Sequence, residues 1–221
     1  MAIGQHSDSV LVVGLGRFGG QVAASLIRLG HDVLAIDEDE HLVQRWADRL
    51  PYVVQADATD EHALRQLGVA DLRHAIVGIG TEIEASVLTV LTLNDLGVRE
   101  IWAKAITAKH GKILSAVGAH HVIYPEAAMG ERVAHLIASK MLDFIEFDDG
   151  YAMAKVQAPA EALGRTLADS RLRSKYGVTV VAVKMTGSDF TYATAQTVVY
   201  GGAQLIVSGR THDVERFSAV T

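Results

Sequence analysis

The stretch SVLVVGLGRFGGQVAASLIRLGHDVLAID, residues 9–37, decides the fold. Ser9 to Val13 is a short apolar run ending at glycine, the pattern of a strand buried on both faces of a parallel sheet. Val22, Ala23, Leu26 and Ile27 then recur at helical spacing, and Gly30 is placed to close that helix. Asp32 to Asp37 reads as a second strand. Between the first strand and the helix stands GLGRFG. Gly14 allows a tight turn, Gly16 lets phosphate reach the backbone, and Gly19 lets the helix approach the sheet. Phosphate would rest on free N–H groups at the helix N-terminus, in its positive field. Asp37 closes the second strand 18 residues after Gly19, within reach of ribose hydroxyls. Strand, loop, helix, strand and acid in that order say far more than a bare GxGxxG.

Working outward, the alternation continues. Glu40 to Leu50 places Leu42, Val43, Trp46 and Leu50 on one helical face. Tyr52 to Gln55 is a third strand, and Thr59 or Asp60 can cap a helix through Leu67. Ala75 to Ile79 is a fourth strand. Thr81 with Glu84 forms a capping-box pattern for a helix from Glu82 to Leu96, with Ile83, Val87, Leu91 and Val90 inward. Glu100 to Ala103, Lys109 to Val117 and His121 to Tyr124 complete a fifth strand, a helix closed by Gly118, and a sixth strand broken by Pro125. This predicts an α/β unit with a Rossmann-type, doubly wound parallel sheet over residues 1–126.

Ala127 to Met141 is an amphipathic helix with Met129, Val133, Leu136, Ile137 and Met141 as its stripe. It either packs on its own sheet or acts as a linker between lobes, over residues 127–142. From residue 143 the texture changes. Asp149-Gly150 marks a hairpin into Tyr151–Val156. A short helix at Leu163–Ser170 follows, then Arg171–Tyr176 and a break at Gly177, strands at Val178–Lys184, Phe190–Thr194 and Ala203–Ser208, and a helical turn at His212–Phe217. Residues 143–221 thus form a small α+β domain, marginal alone at that size.

Composition narrows the function. The net charge is −6 with histidine neutral, and no basic run compensates, so nucleic acid is not an expected partner. The chain has no cysteine, which excludes disulfides, thiolate metal sites and a cysteine nucleophile. MAIGQHSDS lacks a basic stretch followed by an apolar core, so no signal peptide is expected. The longest apolar runs, such as VTVVAV at 178–183, are strand-length, short of a membrane span.

Several side chains gather around the expected ligand position. Arg17, inside the loop, serves either a surface salt bridge or the outer phosphates of a nucleotide. Ala56 and Asp57, in ADAT, lie at the sheet's carboxyl edge, where they touch an adenine ring or simply cap a helix. Gly78, Ile79 and Gly80 end the fourth strand beside the loop. Lys104 ends the fifth and offers a phosphate or carboxylate contact. Glu126, beyond the sixth, is either a helix-capping acid or a ligand for a divalent metal. Catalytic patterns are missing: no HExxH, GxSxG, Walker lysine loop or paired acids. An NAD(P)-dependent oxidoreductase shares the loop and Asp37, but needs a proton-handling residue on a substrate domain. Taken alone, the loop and Asp37 suggest such a cofactor-using enzyme, but no catalytic residue stands beside them.

GLGRFG at 14–19, LAID at 34–37, ADAT at 56–59, AIVGIG at 75–80, IWAKA at 101–105 and HVIYPEAAMG at 121–130 together resemble the regulator-of-potassium-conductance (RCK) domain. They resemble most closely the cytosolic regulatory subunit of Ktr/Trk-type bacterial potassium uptake systems. LRSKYGVTVVAVK at 172–184 and QLIVSGR at 204–210 resemble that family's C-terminal ligand-sensing domain, so the likeness covers nearly the whole chain. It implies a non-enzymatic nucleotide-responsive switch, with the oxidoreductase as the alternative: a homo-octameric cytoplasmic ring, held at the inner face of the membrane by a membrane-embedded potassium-translocating subunit and gating it. ATP favours the active form and ADP the inactive one, and NAD(H) also binds in the wider family. By position, Gly14, Gly16, Arg17 and Gly19 hold phosphate, and Asp37 holds ribose. Asp57 and Gly78–Ile79–Gly80 line base and sugar, and Phe18, Glu38, Ala56, Ala58 and Lys104 complete the set. On the same resemblance Glu126 would share a divalent cation (Mg2+ or Ca2+) across a dimer interface, and residues 127–142 would be the crossover helix. Some relatives bind cyclic di-AMP, and Arg173, Lys175 and Tyr176 match that stretch. The preceding LGRTLADSRL is poorer in β-branched residues than the family's adenine wall, and YGGAQ at 200–204 stands where a glycine–aspartate pair is common.

Overall fold

In the computed structural model, which describes residues 9–221, the chain divides into two compact units, Met1–Glu126 and Ala127–Thr221. Residues 1–8, read above for a leader, lie outside the description.

The first unit carries strands β1 (Val10–Val13), β2 (Val33–Asp37), β3 (Tyr52–Gln55), β4 (His74–Val77), β5 (Glu100–Lys104) and β6 (His121–Ile123). They pair in the order β3-β2-β1-β4-β5-β6, parallel throughout. Helices α1 (Arg17–Arg28), α2 (Glu40–Ala47), α3 (Glu61–Gln66), α4 (Ile83–Asp95) and α5 (Ala108–Ala116) connect them. All four residues of β1 are buried, and they alternate between two cores as successive strand residues must. Leu11 and Val13 pack with Leu34, Ile36, Val90 and Leu93, while Val10 and Val12 pack with Ala23, Trp46 and Leu50. A strand clothed on both faces has no use for polar alternation, which is why β1 reads as continuous Val and Leu.

Helix starts follow local chemistry, with one correction. Asp39 accepts from His41 N at 2.8 Å, Asp60 from His62 N at 2.8 Å, and Thr107 from His110 N at 3.1 Å. The capping box expected at Thr81 does not form: the helix starts at Ile83, after Glu82, with no side-chain cap. Its inward face matches expectation only in part. Val90 is buried and Val87 packs against the core as expected, but Ser86, Thr89 and Leu93 are buried as well, whereas Ile83 and Leu91 are exposed. This helix is apolar on most of its circumference, so periodicity cannot choose a face, and the small Ser86 and Thr89 are buried instead.

Helix α6 runs Pro125–Ala138, starting two residues earlier than expected because proline's fixed φ suits a first turn. It stops where Ser139 Oγ donates to His135 O at 2.6 Å. Its apolar stripe splits: Leu136, with Met141 beyond the helix, joins the second unit's core, while Met129, Val133 and Ile137 stay exposed.

The second unit has strands β7 (Asp143–Phe147), β8 (Tyr151–Gln157), β9 (Thr179–Lys184), β10 (Phe190–Tyr192) and β11 (Gln204–Arg210). They form an antiparallel sheet in the order β10-β9-β11-β8-β7. Short helices α7 (Leu167–Ser170) and α8 (Leu172–Tyr176) precede β9, and α9 (Thr211–Ser218) closes the chain. The expected hairpin is present: Phe147 pairs with Tyr151 across a turn in which Asp149 and Gly150 take φ of 65° and 68°. Helix α7 begins at Leu167 rather than Leu163, because Leu163 and Thr166 bridge Val199 and Val198 instead.

Candidate functional site

The strand order reverses at β1, whose neighbours are β2 and β4, and ligands of doubly wound sheets bind beyond the carboxyl ends at such a point. Gly14 leaves β1 at φ +86°, a conformation that disfavours side chains. Its N–H donates to Ile36 O at 2.8 Å, and Gly78 N donates to Val13 O at 2.7 Å, so β2 and β4 hold the turn from either side.

The loop glycines divide by cause. A Cβ on Gly19 would lie 1.9 Å from Gly14 O, and one on Gly20 would lie 2.2 Å from the Trp46 ring. A Cβ on Gly78 would meet Gly14 O at a milder 3.2 Å. Packing requires glycine at 19 and 20. Gly16 is under no such demand: its φ of −61° and ψ of −166° suit any residue, and nothing lies within 4 Å of an added Cβ. The open space above Gly16 sits at the N-terminus of α1, which has no side-chain cap and no acid in its first turn. The first N–H groups of a helix have no partner within it, so they face that space with the helix's positive end. A phosphate-bearing nucleotide fits such a cradle.

Asp37 is tied into the loop rather than left free. Its Oδ2 accepts from Leu15 N at 2.5 Å and its Oδ1 from Asp39 N at 2.9 Å. Each oxygen keeps a further lone pair for a hydroxyl donor. Glu38 is exposed, and its carbonyl accepts from Gln55 Nε2 at 3.0 Å. Ala56 N donates to Asp37 O at 3.1 Å, which brings ADAT to the end of β2. Asp57 Oδ1 accepts from Thr59 N and Thr59 Oγ1, at 2.8 and 2.7 Å, so this acid shapes its own turn. Ala58 is buried in the core.

Across the loop, four separated segments meet. Lys104 Nζ lies 2.6 Å from Glu126 Oε1 and 5.9 Å from the centre of the Phe18 ring. A Cβ on Gly80 would stand 3.1 Å from the same nitrogen. The Lys104 side chain is 12% exposed, Glu126 65%. The hydrogen bond from Lys104, aided by the more distant Arg17 charge, holds the Glu126 carboxyl below the usual carboxylate range. Glu126 brings a single carboxylate that already has an ammonium partner. Among the described residues this is no complete divalent-cation site, and a cation there needs further ligands.

The second unit has a separate cleft of about 570 Å³, lined by Leu167, Arg171, Leu172, Arg173, Val180 and Ala193 among others. Of the basic-stretch residues singled out in the sequence, only Arg173 lines it. Lys175 pairs with Glu161, and Tyr176 Oη donates to Glu161 Oε1 at 2.5 Å, so these two turn away. That pairing, Lys175 first, holds the Glu161 carboxyl low. Arg171, not anticipated, lines the cleft in a left-handed conformation at φ 52°.

Trp46 was also missed as a site residue. Its indole N–H donates to Leu15 O at 2.9 Å, which anchors the loop to α2. Helical spacing marks Trp46 only as core; the clue was that a buried indole N–H needs an acceptor.

Fold and site define a class: a Rossmann-type nucleotide-binding unit followed by a small antiparallel α+β domain. Residues 10–125 match the TrkA-N domain and residues 151–220 the TrkA-C domain. The chain is 39% identical over 207 residues to the Ktr system potassium uptake protein C of Bacillus subtilis (strain 168), covering 93% of this chain and 94% of that one. It is 35% identical to the Ktr system potassium uptake protein A of the same organism, covering 93% of each. The chain belongs to the TrkA-N/TrkA-C (RCK-type) family and is homologous to bacterial Ktr potassium-uptake regulatory subunits. That family is regulatory rather than catalytic, which disposes of the oxidoreductase alternative. Among solved structures, the GsuK channel superposes with a TM-score of 0.69 at 20% identity, covering 97% of this chain and 40% of that one. A GsuK channel bound to NAD superposes at 0.66 and 20% identity, covering 94% and 38%. The chain thus spans well under half of these channel chains, and the likeness is one of fold. Among the described residues, no helix is long and apolar enough to cross a membrane.

Proposed function

We propose that this protein is a nucleotide-responsive gating subunit that assembles as a cytoplasmic ring and regulates a membrane-embedded potassium-translocating partner. The observation that carries the reading is the space at Gly16, which neither backbone conformation nor packing accounts for. ATP or ADP lays its phosphates there on the N–H groups of α1, with its ribose at Asp37 and its adenine against Ala56, Asp57 and Gly78–Ile79–Gly80. Arg17 is the charge best placed to tell a triphosphate from a diphosphate. NAD(H) offers the same adenosine and inner phosphate, and the GsuK channel bound to NAD shows that a related fold takes it.

Ring assembly is supported by apolar side chains left on the first unit's surface, Ile83, Leu91 and Ile113 among them, which a second copy would cover. Glu126 then meets ligands of a neighbouring copy and shares Mg2+ or Ca2+ with it, exchanging Lys104 for the metal. Helix α6 is the crossover between lobes. In the second unit, Arg173 and the cleft beside it form half of a cyclic di-AMP site completed by a second copy. Each ligand acts by binding two ring shapes unequally.

Calorimetric titration of the full chain with ATP, ADP, NADH and cyclic di-AMP tests this. The expected result is ATP and ADP binding that Gly16→Ala weakens, and a different small-angle scattering profile in each. Absence of adenine-nucleotide binding, with or without Mg2+, would overturn it. For Glu126, Glu126→Gln should blunt the cation response while nucleotide affinity changes little; an equal response in both proteins refutes that role.

A further inference from the structure

Away from the nucleotide cradle, the second unit gathers a different donor set. Coordinating atoms of Glu131, His135 and Glu146 all lie within 4.8 Å of one another. Glu131 and His135 stand four residues apart on α6, which puts them on one face, and Glu146 comes from β7.

Two further contacts orient this set. His135 Nδ1 lies 3.2 Å from Glu215 Oε1 on α9, and the His135 ring stacks on Phe144 with centroids 4.3 Å apart. Thr211 Oγ1, also on α9, donates to Glu146 Oε1 at 2.8 Å. A histidine with a carboxylate on one ring nitrogen keeps the other nitrogen's lone pair for a metal, and that outer carboxylate fixes the ring. Charge supplies a separate argument. Glu131, Glu146 and Glu215 converge around one imidazole, and among the described residues none of the three pairs with a lysine or arginine. Such a concentration of negative charge is relieved by a cation.

We propose that Glu131, His135 and Glu146 bind a first-row divalent transition cation, with Glu215 and Thr211 holding the ligands in place. One nitrogen and two oxygen donors suit Zn2+ or Co2+, whereas Mg2+ and Ca2+ favour oxygen alone. Three protein ligands leave the remaining position to water. The site lies wholly within the second unit and shares no residue with Glu126. It would tie α6 to β7.

The test uses the full chain and Zn2+ itself, in competition with a chromophoric chelator. The parent protein is expected to bind one more Zn2+ per chain than Glu131→Gln, His135→Gln and Glu146→Gln, or to bind it at least tenfold more tightly. Glu126→Gln should keep that site. Co2+ loading gives an independent readout: its visible absorption should change in His135→Gln. Because His135 packs on Phe144, its replacement can disturb the fold, so the two glutamate variants decide the matter. Zn2+ stoichiometry and affinity equal to the parent's in either Glu131→Gln or Glu146→Gln overturns the proposal.

Discussion

Glycines that look alike in the sequence answer to different forces, and substitution separates them. Gly19→Ala drives a methyl group into Gly14 O at 1.9 Å, a backbone atom that cannot turn aside. Thermal melts should show a loss in the range of overpacking, about 1–3 kcal/mol. Gly16→Ala meets nothing in the protein, so its melting temperature should stay within a few degrees of the parent's, while calorimetry shows ATP affinity lower by at least about tenfold, or ~1.4 kcal/mol. If Gly16→Ala melts as low as Gly19→Ala, the cradle is structural. Glu126 adds a pH signature. Its carboxyl is depressed in the folded chain, so its contribution is present above the unfolded value of about 4.3 and fades as pH falls through the lower folded value. Solvent screening at the exposed Glu126 carboxylate keeps it under about 1 kcal/mol. Denaturant titrations from pH 6 to pH 3 should show a shallower loss for Glu126→Gln than for the parent.

Between elements, two long-range side-chain hydrogen bonds hold the glycine loop: the Asp37 carboxylate accepts from Leu15 N, and the Trp46 indole donates to Leu15 O. Trp46→Phe keeps the apolar ring but leaves Leu15 O without its donor, which should cost about 1–3 kcal/mol in denaturant unfolding. ATP affinity should also fall, since the loop is no longer anchored; unchanged stability and affinity would mean the indole bond is incidental. In the second unit, Arg171 separates α7 from α8 in a left-handed conformation that disfavours an L side chain by roughly 1–2 kcal/mol. Arg171→Gly should therefore melt no lower than the parent, even with glycine's extra unfolded-state freedom set against it. A marked fall would show that the Arg171 side chain supports the fold and is not held there for the cleft.

For the molecule as a whole, a ligand that binds only the folded state stabilises it by mass action. ATP at about 100 times its Kd should add ~2.7 kcal/mol, visible as a rise in melting temperature. An assembled ring should further make that temperature depend on protein concentration. Light scattering gives the mass directly, and a monomer at micromolar concentration with bound nucleotide would remove the ring from the account. The exposed Ile83, Leu91 and Ile113 are the side chains whose change to polar residues should lower the assembly state while leaving nucleotide binding in place.

Near-neighbour chemistry was enough to determine much of this protein. The continuous apolar strands, the Gly14–Gly16–Gly19 loop and Asp37 specify a parallel sheet and its switch point, because each depends on residues close in the chain. Asp149-Gly150 specifies the hairpin for the same reason. The tertiary structure alone decided what depends on distance. It turned Asp37 toward Leu15 N and joined Lys104 to Glu126. It drew Lys175 and Tyr176 to Glu161, away from Arg173 and its cleft, and it buried Ser86 and Thr89 where apolar spacing pointed to Ile83 and Leu91. The spacing of apolar residues records which side chains avoid water, but it does not record which distant atom a polar group will meet. Gly16 was legible as a loop glycine from the start; only the empty space around its Cα distinguishes it from Gly19.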